Sequence, residues 1–286
     1  MPKMRTQTRD DIMVFVVSLR TAIRRRRLVS EMLKGMGMRF TFIDAIDGDD
    51  ASAVGADFAC RETTADRNYI HRSKPITARE LACSLSHIRA IKAASAVASQ
   101  RALIVEDDVD FLCRDPMVLA RLAQVAPSDA AYLQLQVASS ATIEALHARY
   151  LSSGALYERK KRSPPYAFTD PALSAFTCHG TAAYIVTLAG MKNLLGRVLP
   201  DDRFLFPCKA AEVSSNKALV SDKLVYWAAT NEHCHGYAIR APVATTSAVD
   251  SYLHKDHVTN HRRAREAAIS IFGECLAASS SADLRP

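Results

Sequence analysis

Two rhythms of apolar residues run along this chain. The first is the unbroken run Ile12–Leu19 (I-M-V-F-V-V-S-L), which has the length and β-branched content of a strand buried on both faces. The second begins after Thr21, which can cap a helix from Ala22 to about Gly35. Leu28, Val29, Met32, Leu33 and Met36 form its apolar stripe, and Gly35 and Gly37 provide its stop. Phe40–Ala45 (F-T-F-I-D-A) returns to strand character and closes on Ile46-Asp47-Gly48. The pattern then lapses. From Asp49 to Lys74 the chain is polar and charge-rich, which reads as a mobile excursion or lid.

Thr77-Ala78-Arg79-Glu80 fits a capping box and predicts a helix through about Val97. Its stripe is Leu81, Leu85, Ile88 and Ile91, with Ser84, His87 and Lys92 off or beside it. Ala102–Val105 is the next buried strand. Beyond it the pattern predicts a helix over Pro116–Val125 and strands over Ala131–Val137 and Thr181–Val186. Thr187 then caps a helix faced by Leu188, Met191, Leu194 and Leu195 and ended by Pro200. Lys160–Pro165 reads as a basic, proline-broken surface loop, Leu224–Trp227 as a strand, and the region from His261 as a basic helix. The tail Ala277–Pro286 is expected to fray. Alternating strands and helices predict an α/β fold in a single domain over residues 1–276.

The hydrophobic fraction of 49% is ample for a core, and ten glycines with one tryptophan argue against fibrous or all-β architectures. The seven cysteines are odd in number and form no C-x-x-C pair, as in reduced, intracellular usage rather than a disulfide framework. Met1–Asp11 is too polar for a signal peptide, and no apolar run reaches membrane-spanning length. A cytoplasmic protein is the expectation. The net charge of +7 calls for an anionic partner. Arg24–Arg27 and Lys160–Arg162 lack the interleaved aromatics of nucleic-acid surfaces, so a phosphate-bearing ligand or an anionic membrane face fits them better. The basic cluster around His261 agrees with peripheral contact at the inner face of a membrane.

The candidate chemistry follows the Ala102–Val105 strand, where Glu106, Asp107 and Asp108 come in succession with Asp110 behind. Carboxylates at the C-terminal edge of a buried strand stand where open α/β sheets bind ligands. In extended chain Glu106 and Asp108 share a face and Asp107 points away, and two such oxygen ligands suit Mg²⁺ or Mn²⁺ on a diphosphate. Arg25 falls near the centre of the first helix's stripe while its three basic neighbours point elsewhere. It can meet a phosphate or a carboxylate there, or snorkel off the core edge. A sugar nucleotidyltransferase would want a glycine-rich phosphate loop after the first strand, and S-L-R-T-A has none.

V-F-V-V-S-L with its Arg-rich helix, then F-T-F-I-D-A-I-D-G, I-T-A-R-E-L-A-C-S-L-S-H-I-R-A-I-K and an apolar strand ending E-D-D, resembles family 25 glycosyltransferases. That family includes lipooligosaccharide and collagen galactosyltransferases. H-G-T-A-A-Y-I-V-T-L-A-G-M-K-N-L-L, from His179, is similar to its later block. The resemblance implies a GT-A-like fold with a mixed, mostly parallel central sheet flanked by helices. Residues 12–110 would bind the nucleotide sugar and residues 111–276 the acceptor. It further implies a UDP-sugar donor, Mn²⁺ or Mg²⁺, and transfer of galactose with inversion to a saccharide or lipid-linked glycan.

Carried over, Glu106 and Asp108 fall on the metal motif, and Ser18, Leu19, Arg25, Ser86, His87 and Asp107 border the donor. His235 or its neighbour His233 stands for a late histidine ligand. Asp222 or Asp202 is the candidate base. Arg79 and Ala82 replace glycines common in the family's second block. A catalytically degenerate nucleotide-sugar or partner-binding protein of the same fold is the alternative.

Overall fold

The computed structural model describes residues 12–50, 58–62, 77–97, 100–162, 167–176, 178–200, 204–208, 221–247 and 258–282. Its centre is a seven-stranded sheet. In chain order the strands are β1 (Met13–Ser18), β2 (Phe40–Asp44), β3 (Phe58–Glu62), β4 (Arg101–Glu106), β5 (Val109–Phe111), β6 (Ala130–Gln134), β7 (Tyr157–Arg159), β8 (Ala183–Thr187), β9 (Phe204–Cys208), β10 (His235–Ile239) and β11 (Ala244–Thr246). The helices are α1 (Ile23–Gly35), α2 (Ala78–Ala96), α3 (Pro116–Gln124), α4 (Ser140–Ser153), α5 (Leu188–Val198), α6 (Ser221–Ala229) and α7 (Val258–Ala282).

Across the sheet the order is β2-β1-β4-β8-β6-β10-β7, with β3–β9 and β5–β11 as separate pairs. Strands β2, β1, β4, β6 and β10 point one way; β8 and β7 run against them. The sheet is therefore mixed and mostly parallel, as expected. Alternation along the strands divides the core. Phe15, Ile104, Tyr132 and Tyr184 pack on the face covered by α2, α5 and α6. Val14, Leu103, Leu133 and Ile185 pack on the other, under α1 and α3.

Local signals account for most elements. Thr77 and Glu80 form the capping box of α2, Thr187 caps α5 by accepting from Gly190 N, and Asp115 caps α3 ahead of Pro116. Other expectations are corrected. Thr21 does not cap α1, whose N-cap is Ala22 with no side-chain bond, and Leu28 is exposed rather than part of the stripe. Ser84 and His87 are fully buried, because α2 is covered by β-strands on one side and α6 on another. Leu224–Trp227 is helical within α6. Its residues from Leu224 to Ala229 are buried all round, which erases the periodicity that distinguishes helix from strand. Lys160 is buried, not on a surface loop. Helix α7 begins before His261 and continues through most of the expected tail. The polar stretch after Asp49 contains β3, and its remainder lies outside the described residues.

Candidate active site at the end of β4

The register Val17↔Glu106 sets Ser18, the last residue of β1, beside Asp107, just past the end of β4. Ser18 Oγ donates to Asp107 Oδ2 at 2.6 Å. Arg25, in the first turn of α1, reaches the same carboxylate from the other side, with its guanidinium 3.1 Å from Asp107 Oδ1 and 3.8 Å from Asp108 Oδ2. Of the choices left open by the sequence, Arg25 thus meets carboxylates. Arg26 also turns inward, against expectation. It donates to Ser18 O at 2.9 Å, Leu19 O at 3.0 Å and Asp44 Oδ1 at 2.5 Å, and lies over the Phe42 ring. It ties together the ends of β1 and β2, and this hydrogen bond is the main reason the Asp44 carboxyl is held below its usual range.

Glu106 faces the α2 side of the sheet. Thr181 Oγ1 donates to its Oε1 at 2.6 Å, and the buried His87 Nε2 lies 3.4 Å from the same oxygen. On the other side of the ring, Nδ1 meets Tyr184 OH at 3.1 Å. Burial alone would pull the imidazole pKa down. Cys83 and Glu106 outweigh it and push His87 up to about 10. Burial likewise opposes the charge on Glu106, but His87 and then Thr181 hold its carboxyl below the ordinary value, with a weaker pull from His261 on α7. Both shifts favour an imidazolium facing a carboxylate across this 3.4 Å contact, where Nε2 makes no hydrogen bond.

Asp107 and Asp108 lie in the turn between β4 and β5, where strand alternation no longer applies. Both approach Arg25, so the carboxylates gathered around one cation are Asp107 and Asp108, with Glu106 turned to His87. Burial raises the pKa of Asp107. Asp108 is pushed up to about 7, first by burial and then by Glu106, with Arg25 opposing. Its Oδ1 is buried without a hydrogen-bond partner.

A pocket of about 150 Å³ opens above these groups, bordered by Ser18, Leu19, Arg25, Asp47, His87 and Asp108 among others. Its far wall is the turn after β2, where Ile46 N donates to Ser86 Oγ at 2.9 Å. Gly48 is needed there because a Cβ would stand 2.4 Å from Arg79 Cα. Arg79 then grips Asp49 with two bonds of 2.8 Å. Arg79 thus braces this wall.

Further along the same edge, Asp222 sits in the first turn of α6 with His179 Nδ1 3.3 Å from its Oδ2. Burial raises its pKa, but His179 outweighs this, helped by Lys223 and Lys160, and keeps the carboxyl below the ordinary value. His179 and Thr181 bracket Gly180, so one short segment carries the partners of both Asp222 and Glu106. Asp202 lies outside the described residues.

His235 is not brought to this site. It begins β10 opposite Ala130, the first residue of β6, and so lies at the opposite edge of the sheet, against Arg159 at 2.6 Å and Asp129 at 3.7 Å. His233 is exposed beside Glu232. The histidine that approaches the acidic turn is His261. One turn further along α7, Arg265 donates to Asp110 Oδ2 at 2.8 Å. The sequence signals that could have found these groups were the quoted H-G-T block for His179 and Thr181, and the i,i+4 spacing of His261 and Arg265.

Among the described residues no group of three His, Cys, Asp or Glu side chains forms a metal cage. The orphaned Asp108 oxygen nonetheless fits a hard cation completed by phosphate oxygens and water, a mode typical of Mg²⁺. Cys83, Cys113, Cys178 and Cys234 are free thiols. No described helix is long and apolar enough to cross a membrane.

A search of curated proteins returns no match. Among solved structures, the apo crystal structure of mouse xyloside xylosyltransferase 1 is similar over 74% of this chain at 11% identity and a TM-score of 0.30. The chain spans 66% of that protein, just under two thirds, and the likeness is too slight to argue from. The sequence comparison with families is decisive. Residues 11–204, which include β1, α1, α2, the acidic turn and the H-G-T block, match "Glycosyltransferase family 25 (LPS biosynthesis protein)", and the chain belongs to that family.

Proposed function

We propose that this protein moves galactose from UDP-galactose to a hydroxyl of a saccharide or lipooligosaccharide-type acceptor, with inversion, at the cytoplasmic face of a membrane. The observation that carries this reading is the unpartnered, buried Asp108 oxygen beside Asp107 and Arg25, on the floor of a pocket at the C-terminal ends of β1 and β4. Such a floor suits the diphosphate of a sugar nucleotide and its counter-cation. Asp108, with Asp107 beside it, would hold Mn²⁺ or Mg²⁺. The ion, when bound, would offset charge developing on the departing diphosphate.

The remaining roles fall to the chain's own groups. Arg25 is a fixed cation facing the leaving phosphate. His87 and Thr181 commit Glu106 to an internal pair that fixes the turn. Asp222, kept ionised by His179, removes the proton of the acceptor hydroxyl as that oxygen bonds to the anomeric carbon. The bond from that carbon to the phosphate oxygen breaks, and UDP departs with the electron pair.

The test is UDP release with Mn²⁺ across a panel of UDP-sugars, for the wild type, Asp108→Asn and Asp222→Asn. Slow hydrolysis of UDP-galactose, lost in Asp108→Asn and on chelation, is the expected result. No UDP binding and no release with any donor would sink the assignment. Tight UDP binding with no turnover on any acceptor would instead establish the degenerate binder.

A further inference from the structure

Lys160 follows β7 and ends inside the protein, only 5% exposed. Its ammonium donates to Gln134 Oε1 at 2.6 Å and Cys178 O at 3.2 Å, and stands 4.3 Å from the Tyr226 ring centroid and 5.6 Å from that of Tyr132. These partners are neutral. A buried ammonium held by neutral groups is costly, and a methionine of similar length would avoid that cost.

What the lysine holds gives it a use. Gln134, fixed by Lys160 at its oxygen, donates through Nε2 to Gln136 O at 2.9 Å and Gly180 O at 3.2 Å. Lys160 and Gln134 together therefore grip both Cys178 and Gly180. The residue between those two, His179, pairs with Asp222, and the next, Thr181, donates to Glu106. Gly180 itself is at φ +124°, a conformation that needs outside support.

We propose that Lys160 is a positioning residue for glycosyl transfer. Its buried ammonium anchors the segment from Cys178 to Thr181, so that His179 and Thr181 hold the base and the acidic turn in register. This rests on the reading of Asp222 as the base. The charged or titratable groups facing Asp222 are His179, Lys223, Lys160, Cys178 and Tyr132; those facing Lys160 are Cys178, Asp222, Tyr132 and Tyr226. His179, Lys223 and Lys160 pull the Asp222 carboxyl down, while burial lowers the pKa of Lys160 itself.

The experiment compares kcat–pH profiles of the full-length wild type, Lys160→Met, Lys160→Gln and Asp222→Asn with saturating acceptor. Lys160→Met should lower the alkaline kcat plateau about tenfold and move the acidic limb upward, with donor KM within about twofold. Lys160→Gln, which restores a donor without charge, should recover the alkaline plateau but not the limb. Should Lys160→Met not fold, Gln134→Leu must show a lowered plateau at unchanged donor KM. An unmoved limb in folded Lys160→Met, or an equal fall of kcat at every pH, overturns the proposal. Wild-type rates in Asp222→Asn would overturn the base assignment instead, a distinct failure.

Discussion

His87 Nε2 lies 3.4 Å from Glu106 Oε1, with the imidazole wholly enclosed between α2 and the sheet. One member of the acidic triplet is thereby neutralised from beneath, which leaves Asp107 and Asp108 to share Arg25. The division of labour among three adjacent carboxylates follows from this contact.

Replacing His87 by glutamine leaves Glu106 without its counter-charge and should destabilise the fold by about 3 kcal/mol, the low end for a broken buried pair because Glu106 retains some exposure. The pair also predicts a pH dependence. His87 is raised from 6.5 to about 10, so the folded state binds the extra proton. Its stabilisation is complete below pH 6.5 and is lost as pH rises through 10. Urea unfolding at pH 6, 8 and 10 should show this decline in the wild type and a flatter trend in His87→Gln. Equal slopes would mean that the imidazole is neutral in the fold.

Asp108 carries the opposite signature for a carboxylate. Its pKa is raised from 3.8 to about 7, so ionisation works against the fold as pH climbs through that interval. Asp108→Asn should therefore raise the melting temperature at pH 8 in EDTA, by at most the equivalent of about 4 kcal/mol. UDP release should nonetheless fall about 100-fold or more, since the substitution removes the charge that faces the donor. A variant both less stable and fully active would contradict both roles.

Arg25 faces both Asp107 and Asp108 through the single nitrogen Nη1, and its planar fork can add a bidentate grip on a phosphate that an ammonium cannot make. Arg25→Lys should raise the donor KM about tenfold with kcat changed far less. Initial-rate kinetics over a range of UDP-galactose concentrations decides it. A fall confined to kcat would assign Arg25 to the transition state alone.

Gly180 sits at φ +124°, and a Cβ there would stand 2.2 Å from Gln136 Oε1. Gly180→Ala should cost about 1–3 kcal/mol from backbone strain alone, more with the clash. It should lower kcat by displacing His179 from Asp222 and Thr181 from Glu106. Circular dichroism melts and UDP release check the two effects separately, and a variant with wild-type values in both would show that the segment tolerates displacement.

Much of the frame was legible before any coordinates. Ile12–Leu19 and Ala102–Val105 are apolar throughout because both faces of a central strand are covered, and that pattern has few competing meanings. The Thr77–Glu80 box fixed the start of α2 through local bonds alone. Leu224–Trp227 resisted because a helix buried on all sides has no period to read. Asp107 and Asp108 were assigned to opposite faces on strand alternation, which a turn suspends.

Side-chain partners across the sheet are a different matter. The sequence by itself determined the strand cores, the capped helices, the family and the acidic turn, since each depends on neighbours a few residues apart. Only the tertiary structure decided that Arg25 serves Asp107 and Asp108, that His235 lies at the far edge while His261 approaches, and that Lys160 lies buried beneath the His179 segment. These pairings depend on strand order and direction, which bring residues from 18 to 155 positions apart into contact and leave no local trace in the chain.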